Sequence, residues 1–190
     1  MKRISVAIKT VQALVIGFLW LPSVNARSLT AIPSGRVPAL TPCRDAVSKS
    51  GPVSYRPPRD WQRGREADTE LYLPPDLPKG ELCFLTVPPD KALKGTFRAW
   101  FEAETAACLK AARVLDKTEI AEQKTADGRP GLYIAVEIKT REKQRLYGFL
   151  SAVQHGQRGF LFGYFATSPK LIERYLPTLN AFCRSVTFEN

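Results

Sequence analysis

The chain has 190 residues, of which 44% are hydrophobic and 24% charged. That balance fits one ordinary globular domain and excludes collagen-like, coiled-coil and disordered classes. Lys and Arg number 28 against 18 Asp and Glu, a formal charge of +10, and a single histidine excludes His-rich metal sites.

Residues 1–26 read as an export signal. Lys2, Arg3 and Lys9 form a positive start, and Val11 to Leu21 an apolar run too short to span a bilayer. Pro22 and Ser23 break that run, and Val24-Asn25-Ala26 offers small residues for cleavage. No cysteine stands at the cleavage point, which argues against a lipid anchor. Cleavage removes the cations at 2, 3 and 9 and no anion, so the remainder stays basic. The expected destination is periplasmic or secreted, with no membrane-spanning segment.

Residues 27–53 carry Pro33, Gly35, Pro38, Pro42, Gly51 and Pro52 and read as an irregular leader. Within it, Thr41-Pro42 is expected to cap a short helical turn running to Lys49. A single domain is expected over 54–190. Tyr55 to Arg63 reads as an edge strand, because Pro57 and Pro58 are tolerated there. Leu71 and Leu73 mark a short strand, and Glu81 to Val87 a strand buried on both faces.

Asp90 to Val114 reads as a helix capped by Asp90. Phe97, Trp100, Phe101, Ala103, Ala107, Cys108, Ala111 and Val114 form its stripe, the alanines making a flat face towards the sheet. A strand meander follows: Glu119 to Thr125, Leu132 to Thr140, Leu146 to Gln154 and Phe160 to Thr167. Leu132, Ile134, Val136 and Ile138 alternate with Tyr133, Glu137 and Lys139, a half-buried antiparallel pattern. The turn His155 to Gly159 makes the last two strands a hairpin. Ser168-Pro169 starts a second helix that Pro177 should kink or split, and Ser185 to Phe188 is a short closing strand. The fold class is α+β: a mostly antiparallel sheet covered by two helices.

This order is similar to that of the PsbP-like superfamily of alpha-beta-alpha sandwiches. The resemblance covers about residues 55–190. It rests on the opening Tyr55-Arg56-Pro57-Pro58-Arg59-Asp60-Trp61, the helix after the third strand, the central meander, and the closing Phe182-Cys183-Arg184-Ser185-Val186-Thr187-Phe188. It implies a non-catalytic adaptor or ligand-binding module and transfers no site residue; members of the group have different partners.

In an oxidising compartment Cys43, Cys83, Cys108 and Cys183 are expected to form two disulfides. Four cysteines allow three connectivities; Cys108–Cys183 and Cys43–Cys83 are the expected pair, given a Cα separation within about 7 Å. Their spacings fit no CxxC metal or redox motif, so no metal or cofactor is expected.

His155 lies in a Gly-rich, solvent-facing turn, with Ser151 four residues before it and no G-x-S-x-G around it. A hydrolase centred on His155 is therefore an alternative, not the preferred reading. Glu104, among apolar neighbours, is expected to reach solvent or pair with an arginine; no second acid marks a glycosidase cleft. No P-loop, Rossmann glycine pattern or EF-hand loop occurs.

The remaining signal is cationic. Arg56, Arg59, Arg63 and Arg65 cluster around Trp61, and Lys139, Arg141, Lys143 and Arg145 cluster in a strand turn. Both point to an anionic partner, either a protein face or an envelope component, and not to nucleic acid. A non-enzymatic binding or accessory module is the expected function, with a structural subunit of an envelope or secretion assembly as a further alternative.

Overall fold

The computed structural model describes residues 41–43, 47–125 and 127–189. The expected signal segment, most of the leader and its Pro33, Gly35 and Pro38 lie outside them. Among the described residues thirteen strands and two helices follow in chain order. The strands are β1 (Thr41–Pro42), β2 (Ser48–Ser50), β3 (Val53–Tyr55), β4 (Gln62–Glu66), β5 (Thr69–Leu73), β6 (Cys83–Val87) and β7 (Lys91–Ala92). After α1 (Phe97–Leu109) come β8 (Arg113–Lys117), β9 (Ala121–Lys124), β10 (Pro130–Lys139), β11 (Arg145–His155) and β12 (Arg158–Ala166). Helix α2 (Pro169–Arg184) and β13 (Thr187–Phe188) close the chain.

Ten strands form one sheet in the order β1-β4-β5-β6-β12-β11-β10-β8, with β7 beside β12 and β9 beside β10. Every pairing is antiparallel. A small sheet, β13-β3-β2, lies apart from it. The α+β class therefore holds.

Side-chain alternation divides the core into two layers. Tyr133, Phe149, Phe160, Phe162 and Tyr164 pack with Leu171, Ile172, Leu179 and Phe182 of α2. Leu132, Ile134, Val136, Leu150 and Phe165 pack with Trp100, Phe101, Cys108 and Leu109 of α1. Consecutive residues of β10 thus serve opposite layers, as a period of two requires. With a helix on each face, β10 is buried from Gly131 to Ile138 and not half-buried. Its second face reads as polar because Glu137 sits there, fully buried against Arg145.

Several boundaries differ from those read in the sequence. The expected turn from Pro42 is replaced by β1 and β2: Thr41 and Pro42 pair with Arg63 and Gln62, and Ser48 to Ser50 pair with β3. Residues 44–46 of that turn lie outside the described residues. The expected edge strand Tyr55–Arg63 is two strands of different sheets, β3 and β4, separated by the two prolines and by Asp60 at φ 64°. Asp90 does not cap α1. Thr96 does, accepting from the Ala99 N–H at 3.2 Å, while Lys91 and Ala92 hydrogen-bond to β12. The helix ends at Leu109, so Val114 belongs to β8, a strand that the continuous helical pattern concealed. Ala103 is exposed and Ala107 and Ala111 are half-buried; the face on the sheet is Trp100, Phe101, Thr105, Cys108 and Leu109. Trp100 lies where β12 carries Gly159: a Cβ there would stand 2.4 Å from the indole ring. Pro177 neither ends nor splits α2, which runs unbroken from Pro169 to Arg184.

The expected disulfides are absent. Cys108 and Cys183 pack in opposite layers, on either side of the sheet. Cys43 and Cys83 share a layer yet remain thiols, with the Cys83 sulfur 3.0 Å from the Tyr164 hydroxyl. All four are buried. Small apolar side chains and reactive thiols look alike in a sequence, and here the cysteines fill the core.

Candidate functional site: a basic sheet end and a trough beside it

The first arginine cluster is largely neutralised from within. Arg63 forks onto Glu70 with bonds of 2.7 and 2.9 Å, reaching across the β4–β5 ladder. Arg65 lies 4.0 Å from Asp68 and donates to the Ala67 carbonyl. Arg59 has Asp60 at 4.0 Å. Arg56 is exposed, and its backbone N–H donates to the Ser185 hydroxyl. Trp61, expected at the centre of a binding surface, is buried and packs edge-on against Tyr175 with centroids 5.5 Å apart. It anchors α2 and is closed to a partner.

The second cluster stands differently. Lys139, Arg141 and Lys143 are exposed where β10 turns into β11, and Lys143 adopts a left-handed φ of 66°. Arg145 is the exception, because its guanidinium pairs with buried Glu137 and lies over Tyr147. The fold adds a cation that the sequence reading did not collect. Arg113 of β8 is the register partner of Lys139. Like charges facing across a ladder oppose pairing. Neither they nor Arg141 and Lys143 have an ion-pair partner among the described residues. The signal for Arg113 was legible in principle but needed the β8–β10 register.

His155 is not solvent-facing. It is half-buried, its ring stacked on Phe188 at 4.9 Å, and its Nδ1 accepts from Arg129 at 2.5 Å. The crevice beside it is lined by Asp90, Arg158, Gly159 and Phe160 among others, with no hydroxyl or thiol, and is too narrow for a water. Arg158 pairs there with Asp90, whose carboxyl is almost wholly buried. Ser151 lies four residues back along β11, about 13 Å at the usual strand rise. Its hydroxyl is buried without a partner, so the structure brings the two residues no closer. Glu104 pairs with Lys91 at 2.6 Å, a lysine in place of the expected arginine. Among the described residues no group of His, Cys, Asp and Glu is arranged to hold a metal. No described helix is long and apolar enough to cross a membrane.

The larger openings lie elsewhere, between α1 and the strands β8 and β9. One hollow of about 460 Å³ has Phe97, Arg98, Glu122 and Leu132 in its lining. A second, of about 450 Å³, has Thr105, Leu109, Lys110, Val114, Lys117 and Ile134. Nothing in the sequence patterning announced them, because they exist where the helix and the sheet edge part.

No family model and no curated protein matches the chain. Among solved structures it is similar to cyanobacterial PsbP (CyanoP) from Synechocystis sp. PCC 6803. The TM-score is 0.49 at 8% identity, covering 82% of this chain and 99% of that one.

Proposed function

We propose that this protein is an exported, non-enzymatic binding module whose partner is an anionic envelope surface. The observation that supports the reading is the contrast between the two basic clusters. Around Trp61, Arg59, Arg63 and Arg65 each have a carboxylate within 4.0 Å, whereas Arg113, Lys139, Arg141 and Lys143 gather at one sheet end with no ion-pair partner among the described residues. Uncompensated cations facing each other oppose folding, and a negatively charged partner relieves that cost. The alternative centred on His155 lacks support, since Arg129 occupies Nδ1 and no nucleophile lines its crevice.

The test is co-sedimentation with vesicles containing anionic phosphatidylglycerol. Each cation near such a surface contributes about 1 kcal/mol, so reversing three charges is expected to weaken binding at least about a hundredfold. The triple variant Lys139→Glu, Arg141→Glu, Lys143→Glu should lose binding, and wild-type binding should fall steeply with salt. The matched control Arg56→Glu, Arg59→Glu, Arg65→Glu should retain most of it. Binding that ignores salt, or that both triple variants keep, refutes the electrostatic reading.

A further inference from the structure

The two hollows beside α1 share one floor. Leu132 lines the first and Ile134 the second; they are next-but-one neighbours on β10 and belong to the same layer, about 7 Å apart. Arg98 of α1 and Glu122 of β9, 3.3 Å apart, both line the first hollow, and Arg98 also reaches Glu102 of the second at 3.4 Å. Taken together the two hollows make one trough along α1, with the Arg98–Glu102 pair joining their linings. It follows α1 from Phe97 to Leu109, about 18 Å at 1.5 Å per residue. Its size falls within the usual range for small-molecule sites, of order 300–1,000 Å³.

The lining combines an apolar floor with charged side chains, two of them lysines at one end. Leu132, Ile134, Leu109, Ile120 and Val114 supply the apolar lining, Val114 being 39% exposed although it is a large hydrophobic residue; Arg98, Glu122 and Lys124 line the first hollow beside them and Glu102 the second. At the α1 C-terminal end stand Lys110 and Lys117, both exposed and without an ion-pair partner among the described residues. Lys117 is the register partner of Val136, which belongs to the layer under α1, so it stands on the trough side of β8. Thr105 also lines this end. It is 7% exposed, and its hydroxyl has no hydrogen-bond partner. A buried hydroxyl left unsatisfied costs free energy that an oxygen-bearing ligand would recover.

We infer that this trough binds a single-chain anionic amphiphile, its chain along Leu132 and Ile134 and its head group between Lys110 and Lys117. The inference deepens the anionic-surface reading and rests on it, but it uses different residues. Lys110 and Lys117 flank the trough, whereas Lys139 lies in register with Arg113 on the opposite side of the ladder from Ile138.

The full chain is titrated calorimetrically with lysophosphatidylglycerol below its micellar concentration. Glycerol 3-phosphate serves as the head without the chain, and lysophosphatidylcholine as the chain without net charge. Saturable 1:1 binding of lysophosphatidylglycerol is expected, with each control at least tenfold weaker. Ala106→Trp fills the trough from an exposed helix position and should weaken binding at least tenfold. Lys110→Glu with Lys117→Glu should do the same without touching the floor, so the inference stays testable if the tryptophan variant does not fold. The Lys139, Arg141, Lys143 triple variant should bind the amphiphile normally even though it loses vesicles. Equal binding of the three probes overturns the inference, as does unchanged affinity in the folded variants. So does loss of amphiphile binding in the triple variant alone.

Discussion

Two residues carry more of the fold than their size suggests. Gly159 is one: α1 comes so near β12 that Trp100 occupies the space a methyl group would need. Gly159→Ala is expected to cost about 1–3 kcal/mol through overpacking. The urea midpoint should fall with little change in slope. Cys83 is the other. Burial raises its thiol from the ordinary 9.0 to about 12, while the Tyr164 hydroxyl partly offsets this. The folded state therefore keeps a proton that the unfolded state releases between those values. Stability is full below about pH 9 and declines as pH climbs towards 12. Cys43 and Cys183 are shifted upward by the same burial. The native protein is expected to resist a thiol reagent such as DTNB at pH 8 and to yield its thiols only when unfolded. Labelling of the native state at the unfolded rate would contradict this packing.

At the scale of elements, the sequence was most legible where periodicity met long, uninterrupted segments. The meander β10–β11–β12 and helix α2 lie where alternation and the Ser168-Pro169 start place them. Legibility failed where local signals were strong but distant partners decided. Thr41-Pro42 looks like a helix start, yet its neighbours are Arg63 and Gln62 of β4. Val114 continues a helical stripe, yet the ladder with Ile138 claims it. Pro177 sits in an unbroken helix because packing of Tyr175, Leu179 and Phe182 holds both sides of it. The docking of α2 has a pH signature of its own. A hydrogen bond from Tyr175 holds the Asp76 carboxyl below its usual range, and Arg174 adds to the effect. A depressed folded-state value stabilises above the unfolded one and is lost as acid titrates the folded group. Asp76→Asn is therefore expected to lower stability near neutrality and to flatten the decline below pH 4, read from urea midpoints against pH.

At the scale of the molecule, charge is what the composition disclosed and topology is what gave it meaning. Eight cations stood out in two runs, yet only the fold separates those with partners at hand, such as Arg63 and Arg145, from those without. The trough was invisible beforehand, because no run of residues encodes a gap between a helix and a strand. Strand β8 closes one end of the main sheet, with Leu115 39% exposed upon it. Bare strand margins invite copies of a protein to zip together into fibrils. Two such margins joined antiparallel about Leu115 would set Arg113 of one molecule against Lys117 of the other, twice over. The same cations thereby repel a twin. Concentrated salt would lift that protection first, and a rising light-scattering signal would record it.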